Sequence, residues 1–317
     1  MAATPYRRNY KTLLAFAIIY FVWGSTYLAI RIGVHEVPPF LLAAMRFTIA
    51  GLVLYFWAWM RGERSPSARE WFSASLLAIL IFVIDYGLVF WSEQRVPSGL
   101  AAVIMSINAV FMALAEIAIL RSQKLTVRLG IALMLGVAGV AMLVSHTLHL
   151  GGEPIDTMGA IALLIASLSW SVSSSVTRKL PLPSSKTMSS GVQMLTGGLM
   201  LFVIAAALRE FRGFHPAQVS RAAWIALLYL IVAGSIVAFT AYVWLIHREA
   251  PTKVGTYAYV NPVVAVLLGY FFAGEPLGLR TVLGSVFVLV SVVVITTTPA
   301  RNPAASLTVD ELETTSD

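Results

Sequence analysis

Residues 21–31, FVWGSTYLAIR, and residues 168–178, LSWSVSSSVTR, share a frame in which a Trp precedes an Arg by eight positions. Trp23 with Arg31 and Trp170 with Arg178 are therefore related by a shift of 147. Working outward, the same shift carries Arg46 and Gly51 onto Gln193 and Gly198, and a shift of 154 carries Pro97 onto Pro251. Each motif sits in a mostly apolar run, and a membrane helix needs about 20 such residues. Ten runs can be traced: about 12–34, 40–60, 71–92, 98–120 and 127–145, then 157–178, 186–208, 222–246, 254–273 and 279–298. The reading is an all-α integral membrane protein of ten transmembrane helices, built as two five-helix repeats around a central cavity. An odd number of spans per repeat makes the second enter the membrane upside down, the inverted-repeat architecture of many secondary transporters.

Of the 317 residues, 58% are hydrophobic and 12% charged, and the mean hydropathy is +0.82. A soluble chain is about half apolar and a quarter charged. Ten helices of about 20 residues consume most of such a chain and leave no room for a soluble domain. The organisation is then an N-terminal tail (1–11), a first repeat (12–146), a connection with Gly151, Gly152 and Pro154 (147–156), a second repeat (157–298) and a polar, disordered tail (299–317). The first apolar run follows Arg7, Arg8 and Lys11 as a signal peptide would. It is too long and lacks a small-residue cleavage site, so it is expected to stay in the mature protein.

A net charge of +7 is assigned to membrane orientation and not to nucleic acid, because positive loops are retained in the cytoplasm. One alternate set of segments carries fifteen Lys and Arg, among them Arg61, Arg64, Arg69, Arg121, Lys124, Arg128, Arg248 and Lys253. The other carries five: Arg95, Arg209, Arg212, Arg221 and Arg280. The expectation is a multi-pass protein of the plasma (bacterial inner) membrane with both termini in the cytoplasm.

The absence of Cys removes disulfides and thiolate metal sites. No Gly-Lys pair is present for a phosphate-binding loop. The five His fall in connections or at span ends, without an HExxH pattern. No cofactor, metal or direct ATP drive is expected. A membrane-embedded enzyme and a non-transporting scaffold are the alternative readings; the first lacks a basic partner for an embedded nucleophile, the second lacks large loops.

Spans one and two (FVWGSTYLAIRIG, 21–33; PPFLLAAMRFTIAGL, 38–52) and span nine with its exit (YVNPVVAVLLGYFFAGEPLG, 259–278) resemble the EamA family of the drug/metabolite transporter superfamily. The resemblance covers about 12–298. It implies a ten-helix inverted repeat whose fifth and tenth helices are peripheral, a cavity lined by the others, and export or import of small metabolites. In the first repeat the counterpart of Asn261-Pro262 is Asn108-Ala109 and that of Glu275 is Gln123, so the roles of Pro and Glu are not mirrored.

Ionisable groups at membrane depth cost on the order of 3 kcal/mol each and are functional suspects. Arg46 and Asp85 fall at similar depths in spans two and three. They are expected either to form an ion pair, structural or coupling, or to act separately, Arg46 on an anionic group and Asp85 as a proton carrier or solute ligand. Glu116, near the inner end of span four, is expected to snorkel to the interface. Trp23, Tyr27 and Arg31 form one helical stripe, and Trp170, Ser174 and Arg178 another. The aromatics suit a cavity wall and the two Arg suit interfacial anchors at opposite faces, although anchoring and plain packing explain any one of them. Span nine adds Tyr257, Tyr259 and Asn261 followed by Pro262, span eight Thr240 and Trp244, and span four Asn108 between Met105 and Met112. The candidate solute ligands are Trp23, Tyr27, Asp85, Asn108, Trp170, Ser174, Trp244, Tyr257 and Asn261. They suit a small amphipathic solute, amino acid-like, aromatic or drug-like, exported by alternating access, with the lipid bilayer as the other partner and a homodimer left open.

Overall fold

Long apolar runs in lipid must satisfy their own backbone polar groups, and helices do so locally. In a computed structural model of the chain, residues 5–96, 98–120, 125–148, 156–273 and 279–297 are described. Among them every regular element is helical and no strand occurs. Helix α1 (Pro5–Val34) leads into α2 (Pro39–Met60), whose first-turn Pro gives up an amide that would be unpaired there in any case. Helix α3 (Ala68–Ser92) starts from a capping box in which Ser67 accepts from the Glu70 amide and Glu70 accepts from the Ser67 amide. The stretch expected as span four is broken into α4 (Ser98–Met105) and α5 (Asn108–Ala115), the latter running on in wider π-type turns to Leu120. Then follow α6 (Val127–Leu148), α7 (Thr157–Val176, capped by Asp156), α8 (Lys186–Ala207, capped by Ser185) and α9 (Arg221–Ile246, capped by Ser220). The expected span nine is likewise broken, into α10 (Pro251–Val254) and α11 (Tyr257–Ala273), before α12 (Leu279–Thr297).

Seven helical stretches are long and apolar enough to cross a membrane, covering all of the expected spans except the fifth, ninth and tenth; the one for span four, Ala101–Leu120, runs through the turn between α4 and α5. Within α6 and α12 the apolar runs Val127–Gly139 and Val282–Ile295 are shorter, and α11 holds 17 residues. Large apolar side chains such as Phe21, Phe56, Met134 and Ile225 stand exposed on the outer surface of the bundle, a distribution suited to lipid and not to water. Pro97, Gln123, Glu275, most of the 147–156 connection and the tail from 298 lie outside the described residues.

Helices that the 147-residue shift makes equivalent pack against each other. Along α2 and α8, Gly51 faces the backbone of Leu195, Tyr55 that of Gly191, and Thr48 that of Gly198. One index rises as the other falls, so the pair runs antiparallel. The shift turns Thr48 and Gly51 into Leu195 and Gly198, so the Gly51–Leu195 and Thr48–Gly198 contacts are exchanged with each other, as a two-fold axis requires. Glycine is needed here because a Cβ on Gly51 or Gly198 would run into the facing backbone. Helices α6 and α12 pair in the same antiparallel way, with Gly139 against Gly284 and Ser291 Oγ donating to the Ala132 carbonyl at 2.6 Å. The halves also interlock: α1 packs on α9 and α11, while α7 packs on α3, α4 and α5.

Polar contacts sort the connections onto two faces. On one face Glu36 accepts from the Ser220 amide and hydroxyl (2.5 and 2.6 Å), Glu210 accepts from the Leu41 amide at the start of α2 (2.8 Å), and Ser92 Oγ donates to the Gly159 carbonyl (3.1 Å). On the other, Lys179 Nζ donates to the Ile119 carbonyl (2.5 Å), Thr252 donates to Glu116, and Arg128 donates to Thr297 Oγ1 (2.9 Å). The connection holding Arg209 and Arg212 therefore shares a face with the 34–39 turn, as strict alternation requires.

Candidate functional site

Where α1, α3, α4, α5, α7 and α11 converge, their side chains line a pocket between the helices, a usual place for small-molecule sites in helical proteins. Seven of the nine candidate ligands line it: Trp23 and Tyr27 from α1, Asp85 from α3, Asn108 from α5, Trp170 from α7, and Tyr257 and Asn261 from α11. Thr26, Ile30, Tyr86, Val89, Met105 and Ala258 complete the wall. Pro262 has no amide to offer the Ala258 carbonyl one turn earlier, so a wall residue carries a freed acceptor.

The wall is dominated by aromatic rings packed edge to face. The Trp23 ring lies 5.3 Å from Trp170 at 84° and 4.8 Å from Tyr257 at 77°, and Tyr86 lies 5.8 Å from Trp170 at 85°. Tyr242 of α9 backs the two indoles at 5.2 and 4.9 Å. Trp23 Nε1 donates to the Gly234 carbonyl at 3.2 Å, which fixes that ring. Asn108 is also fixed, donating to the Tyr257 hydroxyl (2.6 Å) and accepting from Ser171 Oγ (2.5 Å). By contrast Asp85 Oδ1, Asn261 Oδ1 and Trp170 Nε1 are buried without a hydrogen-bond partner. Asp85 sits in a π-type segment of α3, Ile79–Tyr86, and Gly234 and Ser235 in the corresponding segment of α9, Leu230–Phe239; such segments recur at functional sites.

Several expected placements are corrected. Arg46 and Asp85 form no ion pair. Arg46 Nε donates to Ser235 Oγ at 2.8 Å, and its guanidinium lies over the Phe47 and Tyr86 rings at 4.7 and 5.0 Å, while Asp85 lines the cavity. Tyr86, the next residue along, takes the cation that depth alone assigned to Asp85. Ser174 bonds the Trp170 carbonyl (2.7 Å) and the Tyr242 hydroxyl, supporting the cage from behind. The Arg248 guanidinium lies over the Trp244 ring at 4.4 Å, and Trp244 does not line the cavity. Tyr259 points to α6, donating to the Leu133 carbonyl at 3.2 Å. Glu116 does not snorkel; it is buried and accepts from the Thr252 amide and hydroxyl at the start of α10 (2.9 and 2.7 Å).

Arg31 is more than an anchor. Its Nη1 donates to the carbonyls of Glu93 (2.9 Å) and Val96 (3.0 Å), tying the end of α1 to the turn after α3. Its counterpart Arg178 is exposed on the opposite face. Glu93 itself is fully buried, neither carboxylate oxygen has a partner, and burial pushes its carboxyl well above the usual range against the pull of Arg31.

Residues 10–145 and 157–297 each match the EamA-like transporter family. The chain belongs to that family. It is thus a multi-pass membrane transporter of a small solute, of the drug/metabolite type, and not an enzyme. The EamA-like chain is 37% identical over 261 residues to the "uncharacterized inner membrane transporter YedA" of Escherichia coli (strain K12), covering 82% of each. It is 25% identical over 288 residues to an "uncharacterized transporter" of Archaeoglobus fulgidus, covering 90% of this chain and 96% of the relative. With "Protein PecM" of Dickeya dadantii it shares 24% identity over 276 residues, 86% of this chain and 88% of the relative. One solved crystal structure superposes with a TM-score of 0.72 over 91% of this chain and 98% of its own, at 20% identity, a likeness of fold.

Proposed function

We propose that this EamA-like protein is a ten-span carrier of two inverted repeats that exports a small amphipathic solute by alternating access. The observation that carries the reading is that one cavity is assembled from both repeats, with the equivalent indoles Trp23 and Trp170 meeting in its wall. Rocking the interlocked halves about the antiparallel α2–α8 and α6–α12 pairs would expose that cavity to one face and then the other. The cavity is complete within one chain, so a homodimer is not needed to form it. The face bearing Arg61, Arg64, Lys179, Lys253 and Arg128 is assigned to the cytoplasm of a plasma membrane, together with both termini. Asp85 is the group placed to couple transport to protons, being a buried carboxylate open to the pathway.

The test starts from an untargeted comparison of metabolites in cells with and without the protein. Compounds that accumulate in its absence are then offered to proteoliposomes containing it alone. Counterflow of at least one of them above empty liposomes is expected, and none above background contradicts the carrier.

A further inference from the structure

The polar atoms of the cavity wall that lack partners are mostly acceptors. Asp85 and Asn261 are each 2% exposed, both line the cavity, and Oδ1 of each has no hydrogen-bond partner. A carboxylate at this depth needs a proton or a counter-charge. Among the described residues the single ion pair is Arg64–Glu70 at the surface, and Arg46, a neighbour by depth, bonds Ser235 through Nε and stacks on Phe47 and Tyr86; its Nη1 has no partner, but the side chain lies outside the cavity wall. No Lys, Arg or His among the described residues lines the cavity. A carboxylate or phosphate on the solute would therefore meet no cation, whereas a positive group would meet one carboxylate, one amide oxygen and several ring faces.

Indole and phenol rings attract cations through the negative potential over their faces, most strongly when water is excluded. Trp23, Trp170, Tyr86 and Tyr257 surround the pocket into which Asp85 opens. Asn108, the other amide in the wall, already bonds Tyr257 and Ser171 and so serves the cage itself.

From this arrangement, and building on the carrier reading above, we infer that the solute is a monocation, an amine or quaternary ammonium compound, with its charged head between Asp85 and Asn261 and its apolar part against the aromatic cage. The site selects against anions for want of any cationic partner and against neutral isosteres for want of a counter-charge to Asp85.

The test measures binding to the purified full-length protein by quenching of Trp fluorescence, using benzyltrimethylammonium, its uncharged isostere neopentylbenzene, and phenylacetate. The cation is expected to bind roughly tenfold or more tightly than the other two. Asp85→Asn should remove that preference, and Asp85→Glu should retain most of it, while size-exclusion profiles stay unchanged. If Asp85→Asn does not fold, Asn261→Leu gives the second reading, with a smaller loss confined to the cation. Equal binding of cation and isostere, or tighter binding of phenylacetate, overturns the inference. Proteoliposome counterflow separates the two levels: selective cation binding without transport sinks the carrier and leaves the site, while transport of only neutral or anionic solutes sinks the site and leaves the carrier.

Discussion

Trp23 and Trp170, the same position in the two repeats, meet edge to face with their ring centroids 5.3 Å apart. Such a contact contributes about 0.5–1.5 kcal/mol beyond the area it buries. It also makes one wall from two halves, so it should report on solute binding more than on folding. Trp23→Ala and Trp170→Ala are each expected to weaken apparent solute affinity roughly tenfold. Trp23→Phe keeps a ring and loses the bond to the Gly234 carbonyl, so the loss should be smaller. The concentration dependence of transport by protein of wild-type elution profile measures this, and unchanged affinity in both Ala variants would remove the rings from the site.

The α2–α8 crossing depends on glycine at both ends of its two-fold contact. Gly51→Leu and Gly198→Leu would each drive a side chain into the facing backbone, a cost of about 2 kcal/mol or more. Gly130, in α6, has open space around it, and Gly130→Ala should be neutral or stabilise by about 0.5–1 kcal/mol through helix propensity. Thermal melting in detergent should therefore fall for the first two and not for the third.

Arg31 closes the face bearing Glu93 and Val96 by donating to both carbonyls. Removing it should favour states open to that face. Because the chain has no Cys, a single Cys placed at wall residue Val89 can report this. Arg31→Leu is expected to raise its labelling by an impermeant maleimide roughly fivefold, the effect of about 1 kcal/mol on a two-state equilibrium. Arg178→Leu, on the opposite face, should not raise it.

Glu93 gives a pH signature. Burial raises its carboxyl in the folded protein, so as pH climbs past about 4.3 the unfolded chain ionises while the folded one stays protonated. The wild type should lose stability from that pH up to the raised value, and Glu93→Gln should abolish that loss. The two proteins should melt alike near pH 4 and diverge toward neutral pH, with the Gln variant the more stable. Parallel curves across the range would contradict the assignment.

The all-helical, two-repeat architecture was legible because it rests on long-range regularities: the Trp-Arg frame and the apolar runs. Trp23, Tyr27 and Trp170 could be placed on the cavity wall because a stripe at four-residue spacing survives in ordinary α-helix, and the three-residue step from Trp23, which shares that face, would have found Thr26. Tyr242 was not legible. It follows the π-type segment Leu230–Phe239, whose wider turns rotate the later residues, so Tyr242 backs the cage in place of Thr240 and Trp244. Arg46 and Asp85 were matched by depth, a one-dimensional measure that does not see Tyr86 and Ser235 competing for the guanidinium.

The central claim is that one cavity between the halves opens alternately to the two faces of the membrane. Its most direct test is a single Cys at Ala258, on the cavity wall, in oriented vesicles challenged with an impermeant maleimide from one side at a time. Labelling from either side, slowed from both by bound solute, is the predicted result. Labelling from one side alone under every condition, with or without solute, would contradict it.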